Sequence, residues 1–152
     1  MFKKILALVF ILNFLSSCEY KPIYSSSNKS NYRIIITDLS GDKKLNKYIV
    51  ENLKRNSQKN SVEIIKIKIN SEYSRKISAK NNLGSTTDYQ ARAVTEFEIK
   101  RNEITEKLVF NEKFDYQKIS DSYEEKSYEQ TIKRNLASSI SQKLILRLST
   151  TK

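Results

Sequence analysis

Residues 88–116 read DYQARAVTEFEIKRNEITEKLVFNEKFDY, and the fold turns on this stretch. Tyr89, Ala91, Ala93, Phe97 and Ile99 fall on one side of an extended chain, while Gln90, Arg92, Glu96, Glu98 and Lys100 fall on the other. Arg101-Asn102-Glu103 offers a turn, after which Ile104, Leu108, Phe110, Phe114 and Tyr116 take one face on the return. A period of two on both sides of a short polar turn predicts a long antiparallel hairpin with one buried face.

Upstream, Val62-Glu63-Ile64 and Ile65-Lys66-Ile67-Lys68-Ile69 also alternate, but the phase slips between Ile64 and Ile65, which predicts a β-bulge there. A polar loop with Asn81, Asn82 and Gly84 should join this strand to the hairpin. Further upstream, Tyr32-Arg33-Ile34-Ile35-Ile36-Thr37 is short, β-branched and almost continuously apolar, as suits a strand with one face buried and the other covered. Residues 38–42 (DLSGD) supply turn and cap residues, and Leu45, Tyr48, Ile49 and Leu53 then recur at helical spacing, predicting a helix over 43–57. Downstream of the hairpin, Ser122-Tyr123-Glu124-Glu125 has the pattern of a capping box. Tyr128, Ile132, Leu136, Ile140, Leu144 and Leu148 follow every four residues, with Ala137 and Ile145, and predict a long helix packed on the sheet.

The predicted order is β-α-β-β-β-α. This is an α+β fold: a two-layer sandwich in which two helices cover one face of a four-stranded mixed sheet, in one domain spanning 32–149. A right-handed first crossover followed by antiparallel neighbours places the loops after strands one, two and four at one end of the sheet. Arg75, Lys76 and Lys80 are expected in or beside the loop between strands two and three, and Lys118 and Lys126 flank the junction of last strand and last helix. If they converge, their cations suit a phosphorylated amphiphile better than a neutral sugar; otherwise they are a solvated charged loop.

Composition excludes most chemistry. The 152 residues include no His, no Trp, one Cys and one Met, so a Ser-His-Asp triad, an imidazole base and a His-type zinc site are all ruled out. The carboxylate pairs Glu96/Glu98, Glu103/Glu106 and Glu124/Glu125 lie among lysines and read as solvated charge. A non-enzymatic role without cofactor or metal is expected.

The amino terminus decides where the chain should act. Lys3-Lys4 precede an apolar run from Ile5 to Leu15, and Leu15-Ser16-Ser17-Cys18 closes it. Too short to span a bilayer, for which about 20 apolar residues are needed, the run reads as a cleaved lipoprotein signal over 1–17. Cys18 is then the acylation site, carrying a diacylglyceryl group and an N-acyl chain, the palmitate-type modification that stable anchoring needs. The other reading is an ordinary secretory signal followed by a free thiol. Residues 18–31, with the only proline and a serine-rich run, should form a flexible tether. Two lysines leave with the signal, so the net charge falls from +11 to +9, an excess that favours polyanionic partners. Export argues against nucleic acid. Lysine as a compositional habit explains the same excess.

The chain resembles the LptE-type lipopolysaccharide-assembly lipoproteins in their alphaproteobacterial form. The likeness rests on Cys18 followed closely by an aromatic, on Lys21-Pro22-Ile23-Tyr24, and on the strand, Gly-Asp turn and helix over 32–53. Asp88-Tyr89-Gln90 opening the third strand and Lys126-Ser127-Tyr128-Glu129-Gln130 entering the last helix complete it. The resemblance implies an outer-membrane lipoprotein, lipid-anchored and facing the periplasm, that plugs an LptD-type β-barrel and assists its assembly and the delivery of lipopolysaccharide. Lys126 best matches the family's basic lipopolysaccharide-contacting position, followed by the loop before Asp88. There Asn81, Asn82 and Gly84 stand in place of an arginine, so Lys80, Lys76 or Arg75 would have to supply the charge. Glu19 after the cysteine, instead of the aspartate of inner-membrane retention, is compatible with the outer membrane. The alternative is a periplasmic auxiliary lipoprotein of an ABC-type lipid transporter.

Overall fold

The computed structural model describes residues 32–150; Cys18, the signal and the tether lie outside them. The elements are β1 (Tyr32–Gly41), α1 (Lys43–Arg55), β2 (Glu63–Lys80), β3 (Thr86–Arg101), β4 (Ile104–Gln117) and α2 (Ser122–Thr150). The sheet order is β1-β2-β3-β4, with β1 parallel to β2 through the α1 crossover and the other pairs antiparallel. This is the expected α+β sandwich. Among the described residues no helix is long and apolar enough to cross a membrane.

The hairpin folds as its alternation requires. Ala91, Ala93, Phe97 and Ile99 are buried together with Ile65, Ile67 and Ile69 of β2. Leu45, Ile49 and Leu53 of α1 and Ile132, Leu136, Ala137, Ile140, Leu144 and Leu148 of α2 close the core from one side. β4 is an edge strand, so its inward row is weaker than its pattern: Tyr116 is buried and Leu108 and Phe110 half-buried, but Phe114 and Ile104 are exposed.

Five local expectations are corrected. No bulge lies between Ile64 and Ile65; the register runs on, and Ile64 simply points to the uncovered face. The irregularities fall instead in β1, between Ile36 and Asp38, and near the end of β2, between Ile77 and Lys80. β1 runs on through Ser40 to Gly41, because Asp38, Leu39 and Ser40 still pair with Lys68, Ile69 and Asn70; nor is its second face covered by another layer of the described residues. The first helix ends at Arg55, where Asn56 folds its amide N–H back onto the Leu53 and Lys54 carbonyls. The last helix is capped by Asp121, not Ser122: its Oδ1 accepts from the Tyr123 and Glu124 amides at 2.9 and 2.8 Å.

Asp42 does two jobs. Its Oδ1 caps α1 by accepting from the Leu45 amide at 2.7 Å, and its Oδ2 meets Lys133 Nζ of α2 at 2.9 Å. Desolvation raises the carboxyl pKa, but the Leu45 amide and the Lys133 hydrogen bond and charge outweigh it, and the net shift is downward. A pKa lower in the folded than in the unfolded chain contributes stability above the ordinary value of 3.8 and loses it as pH falls through the folded value. Asn caps as well as Asp, so Asp42→Asn loses only the charge facing Lys133 and should cost about 0.5–1 kcal/mol at pH 7. Urea unfolding at a series of pH values should show the gap to the parent closing below about pH 4; a pH-independent gap would refute the linkage.

Candidate functional site: the projecting end of the sheet

β1 stops at Gly41, opposite Ser71, but β2 continues for nine residues to Lys80. At about 3.3 Å per residue, β2 and β3 project roughly 30 Å beyond the first strand. The first two turns of α2 lie against this extension, and what joins them is aromatic and polar instead of aliphatic. The Arg75 guanidinium sits 4.4 Å from the Tyr89 ring centroid and reaches Glu125 at 3.6 Å and Glu129 at 3.4 Å. Tyr116 contacts Tyr89 and Tyr128, each at 5.7 Å between centroids, and Lys133 Nζ stands 3.9 Å from the centre of the Tyr73 ring. Burial first, then the negative charge of Glu129, pushes the Tyr73 hydroxyl pKa up, and burial does the same at Tyr116. Both phenols stay neutral at physiological pH.

This seam reassigns the predicted cations. Arg75 lies within β2 and not in a loop, and the carboxylates of Glu125 and Glu129 stand beside its guanidinium at 3.6 and 3.4 Å. Lys76, its neighbour, pairs with Gln90 and points to the opposite, bare face, because successive strand residues alternate. Arg75 and Lys76 therefore do not converge. Lys80 and Lys118 flank the start of β3 from its two sides: Lys80 pairs with Thr86, while the Lys118 amide donates to the Thr87 carbonyl at 2.8 Å. Lys118 lines an open depression of about 540 Å³ with Thr86, Thr87, Asp88, Gln117 and Ser120. Lys126 is exposed near the start of α2, at the same end of the fold. Lys80, Lys118 and Lys126 make no ion pair among the described residues. The carboxylates read as solvated are mostly paired: Glu98 with Lys68, Glu96 with Lys107, Glu106 with Arg147, Glu103 with Lys100.

The uncovered face holds a basic group that the sequence reading did not single out. Arg92 and Lys113 are direct cross-strand partners, and Lys76 lies diagonally from Arg92. Like charges in that relation repel, whereas the central band of the same face is neutralised by Lys68–Glu98 and Lys107–Glu96. The Arg92 Nε donates to Asn111 Oδ1 at 3.1 Å, which orients the guanidinium. The signal was available: the Asn102-Glu103 turn fixes every partner in the hairpin, including this pair.

Among the described residues no group of His, Cys, Asp and Glu could hold a metal. No protein-family model and no curated protein matches the chain. Solved structures do. Rare lipoprotein B from Shewanella oneidensis superposes with a TM-score of 0.57 at 13% identity, over 76% of this chain and 96% of that one. The chain shares the fold of that lipoprotein. A putative lipoprotein from Caulobacter crescentus superposes at 0.52 with 14% identity, covering 80% of this chain and 90% of its own. An uncharacterized lipoprotein B from Nitrosomonas europaea gives 0.53 at 8% identity, covering 78% and 85%. At these identities the shared property is the architecture alone.

Proposed function

We propose that this chain is a non-enzymatic outer-membrane lipoprotein of the lipopolysaccharide-assembly type, anchored through acylated Cys18. It docks into an LptD-type β-barrel, assists that barrel's assembly and presents cations to the phosphates of lipopolysaccharide in transit. The observation that carries the reading is the small-lipoprotein fold joined to a sequence whose Leu15-Ser16-Ser17-Cys18 is built for lipidation. The projecting end supports it: three lysines with no ion pair among the described residues stand where the sheet outruns its first strand. Lysine is a compact point charge suited to phosphate, and a chaperone needs contacts weak enough to release.

Co-purification tests the partner. Affinity capture of the acylated chain from solubilised envelopes should bring down a heat-modifiable β-barrel; capture of an inner-membrane ATPase complex instead would select the transporter-auxiliary alternative. Lys80→Glu with Lys126→Glu tests the site. The double variant should bind lipopolysaccharide at least about tenfold more weakly at low salt, the difference shrinking as salt screens it, with an unchanged unfolding midpoint. Equal affinity at low and high salt would remove both lysines from the site.

A further inference from the structure

The sheet has two edges, and only one of them is protected. Along β1 the Gln58 amide donates to the Tyr32 carbonyl at 3.1 Å, the Ile34 amide to Ser57 Oγ at 2.8 Å and the Leu39 amide to Asp38 Oδ1 at 2.9 Å, and the register shifts between Ile36 and Asp38. Occupied edge groups and a bulge are devices that keep a sheet from adding a foreign strand. β4, the other edge, has neither. Over its 14 residues it carries no proline, no glycine and no register shift, and among the described residues no side chain or loop bonds its outer backbone groups.

Phase identifies the free groups. The Lys118 amide reaches inward to Thr87 of β3 at 2.8 Å, and backbone groups alternate in direction along a strand, so the odd-numbered residues from Thr105 to Gln117 turn their N–H and C=O groups outward. A second β4 laid antiparallel, with a two-fold axis at Asn111, sets Lys107 opposite Asp115 of the second copy, and Asp115 opposite Lys107 of that copy. On the helix-bearing face Leu108 then meets Phe114 of the second copy, and Phe114 is 41% exposed in the single chain. Registers centred on Val109, Phe110, Glu112 or Lys113 each place like charges directly opposite: Glu106 with Glu112, Lys107 with Lys113, Glu112 with its own copy and Lys113 with its own copy. The helices permit the arrangement. α2 lies over β3 and β4, so the axis brings its two copies to about 10 Å, two strand spacings and the usual distance of packed helices.

The geometry points to a two-fold dimer of this chain, made by antiparallel pairing of β4 with β4 of a second copy in the register centred on Asn111. The occupant is a second copy because the strand complements itself: its charges meet with opposite sign when the same sequence runs back along it. Pairing satisfies the outer backbone groups of both strands and joins two four-stranded sheets into one of eight strands. The contact uses none of Lys80, Lys118 and Lys126, and it stands or falls separately from the barrel and lipopolysaccharide reading.

Disulfide cross-linking of the acylated full chain in phospholipid vesicles tests this, with the parent chain as the blank for Cys18. Asn111→Cys should cross-link at least about tenfold faster than Lys113→Cys, whose two thiols lie roughly 14 Å apart in this register. In the Asn111→Cys background, Lys107→Glu and Asp115→Lys should each slow the reaction about tenfold, and the two together should restore it. Restoration cannot arise within one chain, where positions 107 and 115 are roughly 27 Å apart along the same strand. Val109→Pro removes an outward amide and no bond to β3, so it should abolish cross-linking while the circular dichroism stays that of the parent. Equal rates for Asn111→Cys and Lys113→Cys, a charge-exchanged chain as slow as either single variant, or cross-linking that survives Val109→Pro would each overturn the proposal. Cross-linking of Asn111→Cys only to another protein of an added envelope extract would overturn it too, giving the edge to a different partner.

Discussion

Alanine at position 41 is expected to destabilise the domain by at least about 3 kcal/mol, although it adds a single methyl group. Gly41 ends β1 at φ +87, in the left-handed region that side-chain-bearing residues avoid. A Cβ there would stand 1.8 Å from the Ser71 carbonyl oxygen and 2.8 Å from its carbon. Both are backbone atoms of the neighbouring strand and cannot swing aside. The same carbonyl accepts the Asp42 amide at 2.8 Å, so moving it also disturbs the residue that caps α1 and pairs with Lys133. Urea unfolding followed by circular dichroism measures the effect. Gly84→Ala is the control: its φ is also left-handed, but its surroundings are open, so it should cost only about 1 kcal/mol. Equal losses at the two glycines would mean that conformational preference, and not the approach of the strands, sets the cost.

Phe97→Ala should cost about 3–5 kcal/mol, the range for emptying an aromatic site in a packed core. Phe97 is fully buried on β3, an inner strand, between Ile69 and Leu108 on its neighbours. Its ring meets Phe110 edge-on, with centroids 5.9 Å apart and planes at 63°. Removing it leaves a void lined from both sides of the strand, which those neighbours can fill only by shifting the sheet. Phe97→Leu should recover most of the loss, because it restores volume without the edge contact. A loss below about 1 kcal/mol for the alanine variant would mean that the sheet collapses onto the site and that the core is looser than its burial implies.

Local pattern carried far in this chain. The alternation from Tyr89 to Tyr116 and the four-residue recurrence from Ile132 to Leu148 each depend only on which side of a strand or helix a residue takes, a property that neighbours in sequence decide. The element order and the buried stripes follow from it. The end of β2 did not, because Asn70 to Lys80 is largely polar and resembles a loop until β3 pairs with it from Asn70, opposite Glu96, to Lys80, opposite Thr86. Ile64 misled in the opposite sense: its hydrophobicity suggested a bulge, but an apolar residue on an uncovered face needs no local irregularity.

The candidate site was legible only as a list of cations. Sequence position put Arg75 beside Lys76, and the pleat sends them to opposite faces; Glu125 and Glu129, some fifty residues away, then occupy the arginine. The pairing of Arg92 with Lys113 was implicit in the turn at Asn102-Glu103, yet its meaning depends on that face of the sheet being left bare.

By itself, the amino-acid sequence determined the alternating hairpin, the two amphipathic helices, their order, and the absence of histidine chemistry, since each is a matter of residue type and short-range period. Only the tertiary structure decided which charges meet and how far β2 and β3 outrun β1. Those depend on long-range register and on the direction in which each side chain leaves its strand, and charge in solution acts through the distances that result.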